Sequence, residues 1–75
     1  MVTITGVIPN SPADRAGIAN GDVLVSMNGH AVRDVLDYMF YAAETQVQLV
    51  LERGGEMFTC TIDKDEYDDL GLRAI

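Results

Sequence analysis

His30, Cys60, Ser11, Ser26 and the carboxylates between Asp63 and Asp69 are the side chains with chemistry to offer. His30 follows Asn28-Gly29 and has no acid, nucleophile or second ligand at a useful spacing, so it reads as a surface histidine. Cys60 alternates with Phe58 and Ile62 and reads as a small apolar core residue. A single cysteine forms neither an internal disulfide nor a cysteine metal cage. Ser11 and Ser26 have no paired base, and Ser11 stands where a helix cap belongs. Asp63, Asp65, Tyr67 and Asp69 echo a calcium loop. However, the sixth position of that frame is Asp68, where the loop needs glycine, and the twelfth is Ala74, where it needs glutamate. The acidic run is therefore read as a solvated loop. With no nucleophile–base pair and no phosphate-binding glycine loop, this chain is expected not to be an enzyme in its own right and to carry no cofactor. Leu70-Gly71-Leu72 offers backbone rather than side-chain chemistry, and taken alone it is a plain turn into a strand.

Seventy-five residues make one domain, 1–75, with no room for a second core. A composition of 48% apolar and 23% charged residues is ordinary for a globular domain. The net charge of −7, with five Lys and Arg, argues against nucleic acid and against anionic membrane surfaces; a charge-steered partner would be basic or neutral. No run of eighteen apolar residues is present, so no membrane span is expected. Met1 to Asn10 lacks the basic start and apolar stretch of a leader, which makes the cytoplasm the expected location.

The elements follow from punctuation and periodicity. Thr3 to Ile8 is a strand whose alternation is interrupted at Gly6 and which ends at Pro9-Asn10. Ser11, Pro12 and Asp14 start a very short helix over 12–16, with Gly17 as its left-handed stop. Val23 to Met27 is a strand, Asn28-Gly29 a two-residue hairpin turn, and His30 to Val32 its return. Asp34 caps the longest helix, over 35–44. On it, Leu36, Phe40 and Ala43 form one apolar stripe, assigned to the core, and Val35, Met39 and Ala42 a neighbouring one. Val47 to Leu51 and Met57 to Ile62 are strands joined by a turn over Arg53-Gly54-Gly55-Glu56. Five or six short strands with one short and one longer helix predict an α+β fold: a small, partly open β-barrel capped by a helix.

Ile8-Pro9-Asn10-Ser11-Pro12-Ala13, Ala16-Gly17-Ile18, Gly21-Asp22-Val23-Leu24 and Met27-Asn28-Gly29 resemble, in order and spacing, the pattern of a PDZ domain. The resemblance covers residues 4–32 directly. Met57 to Ile62 resembles the family's first strand, and Leu70-Gly71-Leu72 its carboxylate-binding loop. Both follow the helix, which is the circularly permuted order common in bacterial PDZ domains. The chain stops as the peptide-binding strand begins at Arg73-Ala74-Ile75, which is expected of a fragment of a longer protein. Val32 to Tyr38 and Asp69-Leu70-Gly71-Leu72 further resemble the N-terminal PDZ domain of a clostridial and cyanobacterial family that looks like radical-SAM-type iron–sulfur oxidoreductases. That resemblance implies an iron–sulfur cluster in the parent protein, on cysteines beyond this segment. Periplasmic and membrane-embedded proteases are the alternative parents.

The resemblance implies a module that binds a peptide or protein segment, in trans or in cis, by adding a strand beside residues 72–75. Leu70, Gly71, Leu72 and Arg73 would form one wall of the groove, and Val35, Tyr38, Met39 and Ala42 the other. The alternative is a docking domain packed on its own catalytic domain. Asp68 and Asp69 bear on the choice, because each close carboxylate pair repels by about 1 kcal/mol in water. They act against capture of a free C-terminus, an effect that Arg73 offsets in part.

Overall fold

The computed structural model describes residues 1–66 and 68–74; Tyr67 of the acidic loop and Ile75 of the expected peptide-binding strand lie outside the described residues. The described elements are β1 (Val2–Val7), α1 (Pro12–Arg15), β2 (Val23–Met27), β3 (His30–Ala31), α2 (Val35–Tyr41), β4 (Gln46–Arg53), β5 (Glu56–Asp63) and β6 (Leu72–Ala74). The six strands form one antiparallel sheet in the order β5-β4-β2-β1-β6, with β3 paired to β2. This is the α+β arrangement expected from the sequence, with β1 as the hinge between a long meander and the short C-terminal strand.

Alternation builds the core. Val47, Leu49 and Leu51 of β4 point inward without exposure, and Ile62 joins them from β5. On β2 the inward residues are Leu24 and Met27, three apart rather than two, because the register with β4 shifts between Leu24 and Ser26. A second shift lies between Ile4 and Gly6, in the pairing of β1 with β6; this is the irregularity signalled by the glycine in the strand. Asn28 and Gly29 both take positive φ, 52° and 81°, as a tight hairpin with the sheet's own twist requires.

Asp22 fixes the turn before β2. It is 2% exposed, accepts the Ala19 N–H at 2.9 Å, and is gripped by both arms of Arg53 at 2.7 Å. The Arg53 guanidinium holds the Asp22 carboxyl below its usual range despite the opposing pull of burial. This one pair ties the end of β4 to the entry of β2.

The long helix departs from expectation in two ways. It ends at Tyr41 rather than residue 44, because the chain tightens into a three-residue turn (Glu44 N–H to Tyr41 C=O, 3.4 Å) before β4 begins at Gln46. Its rotation also differs. Leu36 and Phe40, assigned above to the core, are 74% and 73% exposed, and Ala43 is half-buried beside the groove described below. Only one stripe of a seven-residue helix can face the sheet. That stripe is Val35, Tyr38, Tyr41 and Ala42, with Tyr38 itself buried.

Candidate functional site

A groove of about 450 Å³ runs between α2 and the C-terminal segment. One wall is Val35, Tyr38 and Met39 of α2 with Ala42 and Ala43 just after it, and the opposite wall is Asp68 to Leu70 with Leu72 to Ala74. The volume is in the range of small binding clefts. Of the eight residues expected to line a groove, the structure brings together Val35, Tyr38, Met39, Ala42, Leu70, Leu72 and Arg73; Gly71 sits between them in the loop.

The loop is aimed by what holds its carbonyls. Leu70 C=O accepts the Ala13 N–H at 2.9 Å, and Gly71 C=O accepts the Ile8 N–H at 2.8 Å. In a trans peptide the N–H points opposite to the preceding C=O, so the Gly71 and Leu72 N–H groups turn toward the groove. Leu72 pairs with Val7, and the Ile8–Gly71 bond marks that pair as one that exchanges no hydrogen bonds. Both polar backbone groups of Leu72 therefore lie on the outer edge of β6, the last strand of the sheet.

Ser11 makes this loop possible in a way that its reading as a cap did not disclose. Its side chain accepts the Asp14 N–H at 3.2 Å, as a cap should. It is also buried directly beneath Gly71, where a β-carbon would overlap both Ser11 Cβ and Oγ. Gly71 has φ of 93°, so it is glycine for two independent reasons. The Ser-Pro-Ala helix is the support of the loop, and the spacing of the two segments in sequence gave no signal of their contact.

The groove-facing backbone groups have partners within the chain. Asp69 Oδ1 accepts the Gly71 N–H at 2.8 Å, and Asp69 Oδ2 lies 3.3 Å from the Arg73 guanidinium. Arg73 also donates to the Leu72 C=O at 2.9 Å. Burial pushes the Tyr38 hydroxyl up to about 12, helped by the nearby Asp69 charge and opposed by Arg73 and the Leu72 N–H.

The other candidates stay outside this site. His30 is exposed and stacks on Tyr41, with ring centroids 4.8 Å apart. Cys60 is half-buried, its sulfur 3.7 Å from the Ala16 carbonyl, and burial raises its thiol pKa, the opposite of an activated nucleophile. No group of three or more His, Cys, Asp or Glu is placed to hold a metal ion among the described residues. No helix among them is long and apolar enough to cross a membrane.

A strand edge and a helix flanking an apolar groove, with a glycine loop at its end, is the architecture of a peptide-recognition module. The family model for the PDZ domain matches residues 3–53, and the chain belongs to that family. It is a non-catalytic interaction module of the kind that binds peptides or protein segments. Among its relatives is serine protease HTRA1 of Xenopus tropicalis, 34% identical over 68 residues, covering 87% of this chain and 15% of that protein. Another is the chloroplastic C-terminal processing peptidase of Tetradesmus obliquus, 37% identical over 59 residues, covering 72% of this chain and 13% of that protein. The chain thus spans less than a fifth of the length of these curated relatives.

Proposed function

We propose that the groove between α2 and β6 takes an extended polypeptide segment as an added strand, antiparallel or parallel to β6, with side chains seated on Val35, Met39, Ala42 and Leu72. The observation that carries this reading is the outer edge of β6. It is the terminal strand of the sheet, its Leu72 backbone groups face the groove, and an apolar helix face stands opposite. The ligand segment can belong to another protein or to the parent chain.

The test is an amide NMR titration of the 75-residue chain with pools of mixed eight-residue peptides, repeated on Ala42→Phe, which fills the groove. Shifts at Leu72, Arg73, Ala74 and Met39 that vanish in Ala42→Phe are expected. Shifts elsewhere, or none at millimolar peptide, refute the open groove.

For the parent protein, the resemblance of Val32 to Tyr38 and of Asp69 to Leu72 supports a cytoplasmic iron–sulfur oxidoreductase of the radical-SAM type. Its cluster would sit outside this domain, because Cys60 is the only cysteine here. The names of the relatives favour a second reading, a protease that uses this domain for substrate or self-recognition. Iron and acid-labile sulfide in the purified parent separate the two: their presence supports the first reading, and their absence with peptidase activity supports the second.

A further inference from the structure

PDZ-type loops are suited to a terminal carboxylate, yet here the position where that carboxylate would bind is held by the chain's own. Asp69 Oδ1 sits on the Gly71 N–H at 2.8 Å, and Asp68 lines the same end of the groove. We propose that Asp69 acts as a built-in stand-in for a ligand C-terminus, so that the groove selects internal, extended segments carrying a lysine or arginine beside Asp68 and Asp69. This rests on the groove reading above and specifies the class of ligand.

Three placements support it. First, the Gly71 N–H is already satisfied by a charged acceptor, so a terminal carboxylate would have to displace Asp69 and then sit beside two carboxylates. Second, the strand edge keeps a route open to a segment that runs past the loop. The Leu72 N–H and C=O lie on the outer edge of β6, and the C=O accepts only one arm of Arg73, a half-exposed side chain. Backbone groups of an added strand can pair with this edge and take over that contact, and Arg73 can still hold Asp69. Third, the charge does not balance. Asp68 and Asp69 face the groove with Arg73 as the sole cation in its described lining, which leaves one negative charge for a ligand cation to neutralise. The chain as a whole has the same sign, with a net charge of −7.

The experiment uses the 75-residue chain, its Asp69→Ala and Asp69→Asn variants, and four pools of eight-residue peptides. The pools end in a free acid or a primary amide, each with or without lysine fixed at the last residue. Asp69 is half-exposed, so both variants are expected to keep the dispersed spectrum of the parent. With the unmodified chain, the amidated lysine pool should bind at least about fivefold more tightly than the free-acid pool without lysine, the factor expected of one screened charge pair. Asp69→Ala frees the N–H and removes a charge, so it should raise free-acid affinity about tenfold or more. Asp69→Asn keeps an oxygen on the N–H and should lose the lysine preference with a smaller gain in acid binding. Free acids that outbind amides on the unmodified chain overturn the proposal, as does an acid-to-amide ratio that Asp69→Ala leaves unchanged. Binding of no pool to any of the three proteins overturns the groove itself, and this inference with it.

Discussion

Replacing Gly71 with alanine tests whether the loop is held in place from below. Two costs are expected. An L-residue in the left-handed conformation at φ of 93° loses roughly 1–2 kcal/mol. The new methyl group also overlaps the Ser11 side chain, which is buried and fixed by its cap bond to Asp14, and overpacking of this kind costs roughly 1–3 kcal/mol. Together that is about 2–5 kcal/mol, against a total stability of about 4–11 kcal/mol for a domain of this length. At roughly 4–8 °C per kcal/mol, the midpoint should fall by about 8 °C or more. The decisive comparison is with Ser11→Gly, which removes the obstructing atoms and by itself forfeits a few tenths of a kcal/mol of capping, since glycine is a tolerable cap. In Ser11→Gly/Gly71→Ala the overlap is gone and only the backbone term remains. The double variant should be more stable than the sum of the single effects by about 1–3 kcal/mol, measured by urea denaturation followed by circular dichroism. Additivity within about 0.5 kcal/mol would show that the loop does not rest on Ser11 and would refute the argument.

Three further outcomes follow from the same structure. Asp22→Ala removes the bonds to Arg53 and the Ala19 N–H, and should cost about 2 kcal/mol at pH 7 in thermal unfolding. Because the folded carboxyl titrates below its ordinary value of 3.8, that contribution is present above pH 4 and is lost as pH falls through the lowered value, so the two proteins should converge in acid. Tyr38→Phe should flatten the alkaline limb. The Tyr38 hydroxyl is raised from 10 to about 12, so its neutral form stabilises the fold fully below pH 10, and about 3 kcal/mol is lost as pH rises through 12. A parent and variant with the same alkaline slope would contradict the buried phenol. Leu36→Ser and Phe40→Ser should each change stability by no more than about 0.5 kcal/mol, since both side chains are exposed, and a loss of several kcal/mol would restore them to the core.

The parts of the fold legible in the sequence are those written in local chemistry. Asn28-Gly29 and Gly54-Gly55 mark turns that need positive φ, Ser11 and Asp34 mark helix starts, and Gly6 marks the place where β1 shifts register. The residues that the PDZ resemblance implied for a groove stand around one cleft, but it was the resemblance rather than composition or periodicity that pointed to them. The rotation of α2 was not legible. Leu36 and Phe40 are as apolar as core residues, and nothing in a seven-residue helix says which of two adjacent stripes meets the sheet until the sheet is in place. The self-capping of the loop by Asp69 and Arg73 was hidden for a different reason. An acidic run reads as solvated surface, whereas one hydrogen bond from Gly71 gives this carboxylate a position and a direction.

The Ile8 and Ala13 amides donate to the two loop carbonyls from the side away from the groove. A ligand that pulls on the Gly71 or Leu72 N–H would polarise the same peptide units, whose carbonyls receive Ala13 and Ile8 on the other side. Slowed hydrogen exchange at Ile8 and Ala13 would then report on a bound segment that neither residue touches. It would also make α1 part of the binding energetics, since a protein partner gripping α1 would alter affinity in the groove by the same factor that the groove's ligand alters its grip.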